Sequence, residues 1–221
     1  MHKTVRIPVA GVVLEGDIVR PQPARGLVLF AHGSGSSRHS PRNRYVAEQL
    51  QAAGLATVLV DLLTQEEDQI DARTGELRFD IALLSVRLAA LVDWLSEQER
   101  TSGLGVGLFG ASTGAAAALV AAAARPAAVQ AVVSRGGRPD LAGEFLRLVH
   151  QPTLLIVGER DRQVIELNRS AMRKLAGKTR LEIVAGATHL FEEPGTLEVV
   201  ARLARDWFVD HLTAVAQQAG R

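Results

Sequence analysis

Short apolar segments of strand length alternate with longer helical patterns along nearly the whole chain, and this alternation constrains the fold more than any other feature. The strand-like runs after residue 25 are almost entirely apolar, which is typical of parallel strands buried on both faces. The predicted strands in this part are residues 27–31, 56–60, 104–109, 129–133, 154–157 and 181–184, of which 27–31 and 56–60 are expected to be buried. Parallel strands need crossover connections, so we predict an α/β fold with a mostly parallel central sheet and helices on both faces.

The N-terminal part differs, because Val5–Ile7 and Val12–Val19 read as two strands joined near Ala10–Gly11. We expect this hairpin to add an antiparallel edge to the sheet. The polar, acidic segment Asp61–Phe79 is predicted to be a long loop. Helices are predicted from Pro41 to Gly54, after an Asp80 N-cap, and over 112–124, 140–149, 163–176 and 197–215. A chain of 221 residues fits a single domain over 1–221.

The sequence Gly110-Ala111-Ser112-Thr113-Gly114 follows a predicted strand and opens a predicted helix. It matches the G-x-S-x-G pattern in the structural context that this motif requires. Such a tight turn lifts the serine side chain out of the sheet, and glycines on either side let neighbouring backbone approach closely. The alternative is a helix N-cap serine with glycines that serve packing. The junction favours Ser112 as a nucleophile.

A serine nucleophile needs a base and a carboxylate that orients the base. His189 is the best placed of six histidines, because it follows the last predicted strand in a glycine-containing loop. Asp161 follows the strand 154–157 and is the predicted carboxylate, with Glu159 in the same loop as the alternative and Asp140 as a weaker one. The resulting chain order is Ser, Asp, His, the order of α/β-hydrolases.

Two backbone N–H groups are expected to form an oxyanion hole. Thr113 supplies one, directly after the nucleophile, and we place the other at Ser34 rather than at Gly35 in the Gly/Ser loop 32–37. Arg135 and Arg138 follow the strand 129–133 and are candidate contacts for a substrate carboxylate. A solvated or salt-bridged arginine pair is the alternative for them. No metal-ligand spacing is present, and we expect no metal or cofactor.

Together, His32-Gly33-Ser34-Gly35, Gly110-Ala111-Ser112-Thr113-Gly114, Gly158-Glu159-Arg160-Asp161 and Gly186-Ala187-Thr188-His189 resemble the α/β-hydrolase superfamily. The small size is similar to its dienelactone hydrolase branch and to small carboxylesterases, which implies an α/β-hydrolase fold without a cap domain. The resemblance spans residues from about 5 to 212. Dienelactone hydrolases use a cysteine nucleophile, whereas this chain has Ser112, which favours a carboxylesterase-like activity over dienelactone cleavage.

We therefore expect a serine hydrolase that cleaves carboxylic esters through an acyl-enzyme, with a small-molecule ester as substrate. Two alternatives remain open at this stage. One is a non-catalytic protein of the same fold that binds a small ligand. The other is an acyltransferase or C–C bond hydrolase that uses the same three residues.

Charge and composition exclude several other classes. Lys plus Arg number 25 and Asp plus Glu number 24, so the charge balance does not favour nucleic acid or an anionic membrane as a partner. The absence of cysteine excludes disulfides and a thiol nucleophile. The longest apolar run, Ala115–Ala124, is about half of what a membrane span needs. We expect a cytoplasmic protein, as a monomer or a homodimer.

Overall fold

The structure is a computed structural model and describes residues 2–213. Within this range, eight strands form one sheet in the order β1-β2-β4-β3-β5-β6-β7-β8. The strands are His2–Val9, Val12–Val19, Gly26–Ala31, Leu55–Val60, Val106–Ala111, Val129–Arg135, Thr153–Gly158 and Thr179–Val184, numbered β1 to β8. β1 pairs with β2, and β2 with β4, in the antiparallel sense, and the other neighbours are parallel. The predicted mostly parallel sheet with an antiparallel N-terminal edge is confirmed.

Helices cover both faces of the sheet, as predicted. They are Pro41–Ala52, Gln65–Thr74, Ile81–Glu97, Thr113–Ala124, Arg162–Met172 and Thr196–His211, numbered α1 to α6. The α3 and α4 side chains pack on one face against residues such as Leu29 and Leu108. The α1 and α6 side chains pack on the other face against residues such as Phe30 and Phe109. The side chains of a buried strand alternate between these two cores because successive residues point to opposite faces.

The prediction of a long loop over Asp61–Phe79 is wrong, because this segment contains α2 and a 3₁₀ turn, Leu77–Phe79. α2 has almost no apolar face, and it is held instead by polar contacts. Thr64 and Glu67 form a reciprocal capping box at its start, and Gly75 ends it in the left-handed conformation. The Thr-x-x-Glu spacing and the later glycine are the sequence signals that predict this helix.

Several predicted bounds differ by a few residues. The glycine-rich strand begins at Val106 rather than Leu104 and runs on to Ala111. The predicted helix 140–149 is a 3₁₀ segment, Pro139–Leu148, that is kinked at Gly143, where φ is +56°. The helix predicted over 163–176 ends at Met172, and the last helix ends at His211, while Val215 lies outside the described residues.

The segment between β4 and β5 forms α2, the 3₁₀ turn and α3, so it does not form a cap domain. Among residues 2–213, no helix has the length and apolar character that crossing a membrane requires.

Candidate active site

The loops that follow the parallel strands meet at one edge of the sheet, and they carry the predicted site residues. Ligands bind at this edge in open α/β sheets because the carboxyl ends of the strands and the N-termini of the following helices converge there. Ser112 follows β5, Asp161 lies three residues beyond β7, and His189 lies in the loop after β8.

Ser112 has a strained backbone, with φ +49° and ψ −121°. A non-glycine residue in such a conformation costs about 1–3 kcal/mol and persists only where the surrounding structure imposes it. The Ser112 N–H donates to the Arg135 carbonyl, and the Ser112 carbonyl accepts from the Arg138 N–H. Its side chain makes no capping hydrogen bond to α4, so the geometry does not fit an ordinary N-cap serine.

Two glycines make this turn sterically possible. A methyl group on Gly110 would lie 2.4 Å from the Ala115 Cα, and one on Gly114 would lie 2.3 Å from the Ala31 carbonyl oxygen. Any side chain at either position would therefore push α4 away from β5 or from the end of β3. The G-x-S-x-G spacing is needed here for close packing around Ser112.

His189 and Asp161 are in direct contact, with 2.5 Å between His189 Nδ1 and Asp161 Oδ2. This bond assigns the proton to Nδ1 and leaves Nε2 as the basic nitrogen. The Asp161 side chain is mostly buried, while the His189 side chain is 39% exposed and open to the solvent side. The arrangement suits a base that is oriented by a carboxylate.

The imidazole of His189 lies beside the strand that neighbours the nucleophile. A methyl group on Gly136 would lie 3.5 Å from Cε1 of the His189 ring, and Gly136 directly follows Arg135, whose carbonyl binds Ser112 N–H. Among residues 2–213, the hydrogen bonds do not include one between Ser112 Oγ and His189. Catalytic hydrogen bonds in unliganded sites are often longer than in the substrate complex.

Glu159, the alternative carboxylate, has a different contact. Its Oε2 accepts from the Gly186 N–H at 2.8 Å, which ties the loop after β7 to the loop after β8. The far side of the second loop is held by Glu193, whose Oε2 accepts from the Thr188 N–H at 3.0 Å. That hydrogen bond is the largest of the effects that lower the pKa of Glu193. These two carboxylates brace the loop that carries His189.

Ser34 and Thr113 are in direct contact, which places both predicted oxyanion residues beside the nucleophile. The Ser34 N–H donates to the Thr113 Oγ1 at 3.0 Å. A methyl group on Gly33, the preceding residue, would lie 3.0 Å from the Ser112 Cβ. The Ser34 N–H thus has a side-chain acceptor in this structure.

His32 holds the turn that presents Ser34, a role that the sequence analysis did not identify. Its Nε2 accepts from the Leu62 N–H at 3.1 Å, so its proton lies on Nδ1, 3.0 Å from the Gly33 carbonyl oxygen. The imidazole therefore connects the loop after β3 to the loop after β4. The His-Gly pair directly after a strand was the available signal for this role.

The two candidate arginines have different surroundings. Arg138 forms a two-point ion pair with Asp140, at 2.9 and 2.8 Å. Arg135 is 8% exposed, and its buried Nη1 has no partner among the described residues. Burial, with a smaller effect of nearby Arg42, lowers the pKa of Arg135 to about 10. Arg42 was not identified from sequence, and its buried Nε also has no partner within residues 2–213.

Curated relatives match most of this chain in sequence. The two curated relatives, both from Mycobacterium tuberculosis, are named "Putative phosphoribosyl transferase" and are 59% identical over 208 residues. This match covers 94% of the chain but only 46% of each relative, so the chain spans about half of their length.

Solved structures extend the comparison. The crystal structure of a dienelactone hydrolase from Anabaena variabilis is 60% identical and has a TM-score of 0.95, with 96% of this chain and 98% of that chain covered. Est1E from Butyrivibrio proteoclasticus is 16% identical, with a TM-score of 0.78 and 94% and 98% coverage, and shows a common fold only.

The family comparison covers the candidate site and most of the sheet. The model of the dienelactone hydrolase family matches residues 14–214, a range that includes the loops after β3, β5, β7 and β8. With this match and an α/β-hydrolase fold whose elbow carries Ser112, the chain belongs to the dienelactone hydrolase family.

Proposed function

We propose that the protein hydrolyses carboxylic esters through a covalent acyl-enzyme on Ser112. The observation that carries this proposal is the strained Ser112 turn at the same sheet edge as the bonded His189–Asp161 pair. Strain of this kind persists only where the surrounding structure imposes it, and the half-buried Ser112 lies at the sheet edge where the loop of His189, the proposed base, also lies. Membership of a hydrolase family supports the same reaction class.

In the proposed reaction, the Ser112 Oγ attacks the ester carbonyl carbon while His189 Nε2 takes the hydroxyl proton. Asp161 keeps the proton of Nδ1 in place and stabilises the imidazolium. The carbonyl oxygen becomes an oxyanion, bound by the Thr113 N–H at the start of α4. The alcohol leaves with the proton from His189, and water then attacks the acyl group with His189 again as the base.

Arg135 is proposed to contact an anionic group of the substrate. Its guanidinium has no ion-pair partner within residues 2–213, whereas the Arg138 guanidinium is engaged by Asp140. A buried cation without an anion is costly, and a bound carboxylate would remove that cost.

The principal test is the hydrolysis of short-chain 4-nitrophenyl esters by purified protein. We expect Ser112→Ala to reduce kcat by at least about 10⁴-fold while the thermal midpoint stays near that of the wild type. A fluorophosphonate probe should label Ser112 in the folded wild-type protein. Full activity of the Ser112→Ala variant would contradict the proposal, and failure of labelling would favour a ligand-binding protein without turnover.

A matched pair of carboxylate variants tests the orienting residue. Asp161→Asn should lower kcat by about 10³–10⁴-fold, because the amide favours the wrong imidazole tautomer. Glu159→Gln should retain most of kcat, because Glu159 contacts a backbone N–H rather than His189. Equal losses in the two variants would contradict this assignment.

The name of the mycobacterial relatives suggests a separate assay, because phosphoribosyl transfer belongs to a different reaction class. Release of pyrophosphate from a phosphoribosyl pyrophosphate donor by both the wild type and Ser112→Ala would oppose the esterase proposal. Product analysis with an alcohol acceptor separates hydrolysis from acyl transfer.

A further inference from the structure

The hydroxyl of Thr113 is a hydrogen-bond acceptor in this structure. Its oxygen accepts from the Ser34 N–H at 3.0 Å, across 79 residues of sequence. A hydroxyl has one donor proton besides its acceptor lone pairs. The hydrogen bonds among residues 2–213 include none in which the Thr113 hydroxyl donates, so its proton remains available.

The position of this hydroxyl is set by buried structure. Thr113 is 3% exposed and is the first residue of α4, directly after Ser112. Backbone N–H groups at the start of a helix have no intrahelical acceptor, so the Thr113 N–H is also free to bind an anion. One residue thus presents two donors at the point where the positive end of the helix dipole meets the nucleophile.

The Ser34 N–H is the group that would otherwise bind the oxyanion directly, and it is committed to the Thr113 oxygen. A hydroxyl that accepts a hydrogen bond becomes a better donor, because hydrogen bonds in a chain polarise one another. The His32 ring holds the Ser34 loop in place, because it contacts the Gly33 carbonyl oxygen and accepts a hydrogen bond from the Leu62 N–H. The Ser34 N–H therefore polarises the Thr113 hydroxyl, which becomes a stronger hydrogen-bond donor toward the candidate site.

We propose that the Thr113 hydroxyl, polarised by the Ser34 N–H, donates a hydrogen bond to the oxyanion beside the Thr113 N–H. The proton stays on Thr113 throughout, and negative charge gathers on the substrate oxygen while Ser112 forms its bond to carbon. Ser34 then acts on the hydroxyl and not on the substrate. This inference rests on the proposed ester hydrolysis.

The test is Thr113→Val, which removes the hydroxyl at nearly constant shape. The hydroxyl donor acts on charge that develops in the transition state, so we expect kcat to fall by about 10²-fold with KM within about threefold of the wild type. A trifluoromethyl ketone, which forms an anionic tetrahedral adduct, should lose affinity by the same factor as kcat/KM. The parent methyl ketone should bind equally to both proteins. Thr113→Ser should restore most of kcat.

A buried threonine elsewhere provides the control. Thr57 is fully buried in β4, and its hydroxyl also accepts a hydrogen bond, from Gln51 Nε2 at 2.8 Å. Thr57→Val should match the wild type in kcat, although it shares the loss of a buried hydroxyl. Thermal midpoints of all variants show whether they fold, and Thr113→Ser carries the comparison if Thr113→Val does not.

Three results would overturn the inference. An unchanged kcat in Thr113→Val would show that the hydroxyl does not act on the oxyanion. A raised kcat would show that the hydroxyl blocks the hole and that the Ser34 N–H is the true donor. A loss confined to KM would indicate ground-state contact only. If the wild type neither hydrolyses esters nor reacts with a fluorophosphonate, the proposed function itself fails, and the inference fails with it.

Discussion

At the residue scale, Arg135 is a buried charged group near the candidate site whose Nη1 has no partner among the described residues. Its side chain lies on the α1 and α6 face, because alternate β6 residues such as Val133 belong to that core. It shares this region with Arg42, which reaches Glu192 in the loop after His189 at 3.1 Å. The unpaired buried charge of Arg135 has a stability cost that an anionic substrate would offset.

We predict opposite effects of Arg135→Met on stability and specificity. Removing a buried, unpartnered charge should raise the free energy of unfolding by about 1 kcal/mol or more. Losing charge-assisted hydrogen bonds should reduce kcat/KM by about 10–100-fold for 4-nitrophenyl hydrogen succinate, which is anionic. The uncharged 4-nitrophenyl butyrate should be affected much less. Activity and urea unfolding measure the two effects.

The control for this prediction is Arg125→Met, because Arg125 pairs with Asp93 at 2.7 Å outside the sheet edge that carries Ser112. Arg125→Met should leave the ratio of kcat/KM for the anionic ester to kcat/KM for the uncharged ester unchanged. Arg138→Met tests the second candidate arginine. If it changes the ratio and Arg135→Met does not, Arg138 is the substrate contact and the assignment of Arg135 is wrong.

At the element scale, α2 shows how a helix with little apolar surface is stabilised. Glu67 completes its capping box and also binds Arg87 of α3 at two points, both 2.6 Å. Arg87 is 3% exposed and donates as well to the Leu62 carbonyl, and the Leu62 N–H binds His32. The contacts of α2 therefore connect to the loop that presents Ser34.

Glu67→Gln should destabilise the protein by about 2–4 kcal/mol at pH 7, because it leaves the buried Arg87 charge without its partner. The hydrogen bond from Arg87 is the largest cause that lowers the pKa of Glu67 below its usual 4.5. A carboxyl with a lowered folded-state pKa stabilises the fold above its unfolded pKa and loses that effect as the pH falls through the folded value.

The measurement is urea unfolding of the wild type and Glu67→Gln from pH 7 to pH 3. The difference between them should shrink as the pH falls below 4.5. Glu66→Gln is the matched control, because Glu66 is an exposed neighbour in the same first turn, and it should stay within about 0.5 kcal/mol. A difference that persists at low pH would show that the Glu67 charge is not its source.

At the scale of the whole molecule, the two faces of the sheet have separate cores that share the same strands. The chain has two tryptophans, and they lie on opposite faces. Trp94 of α3 packs against one core, and Trp207 of α6 is buried in the other. Because each buried strand contributes side chains to both cores, we expect the chain to unfold as a single domain.

Single-tryptophan variants test this expectation. Trp94→Phe leaves Trp207 as the reporter of one face, and Trp207→Phe leaves Trp94 as the reporter of the other. In each variant, the fluorescence midpoint in urea should coincide with the circular dichroism midpoint of that same variant. A separation of the two midpoints in either variant would contradict a single cooperative unit.

The sequence by itself determined the sheet, its antiparallel edge and the loops that carry Ser112, Asp161 and His189. These features depend on local apolar periodicity, on turn residues and on the order of the motifs along the chain, and the sequence contains all three. The α2 helix is also encoded locally, by Thr64, Glu67 and Gly75. Apolar periodicity does not reveal it, because the helix has few apolar residues.

Only the tertiary structure decided which polar groups meet. Asp161 rather than Glu159 binds His189, Arg138 is paired while the Arg135 Nη1 has no partner within residues 2–213, and the Ser34 N–H binds the Thr113 hydroxyl. Hydrogen bonds act over about 3 Å, whereas these partners are 28 or 79 residues apart in sequence or compete within one loop. Composition and spacing supply the candidates, and the packing of loops from different strands selects among them.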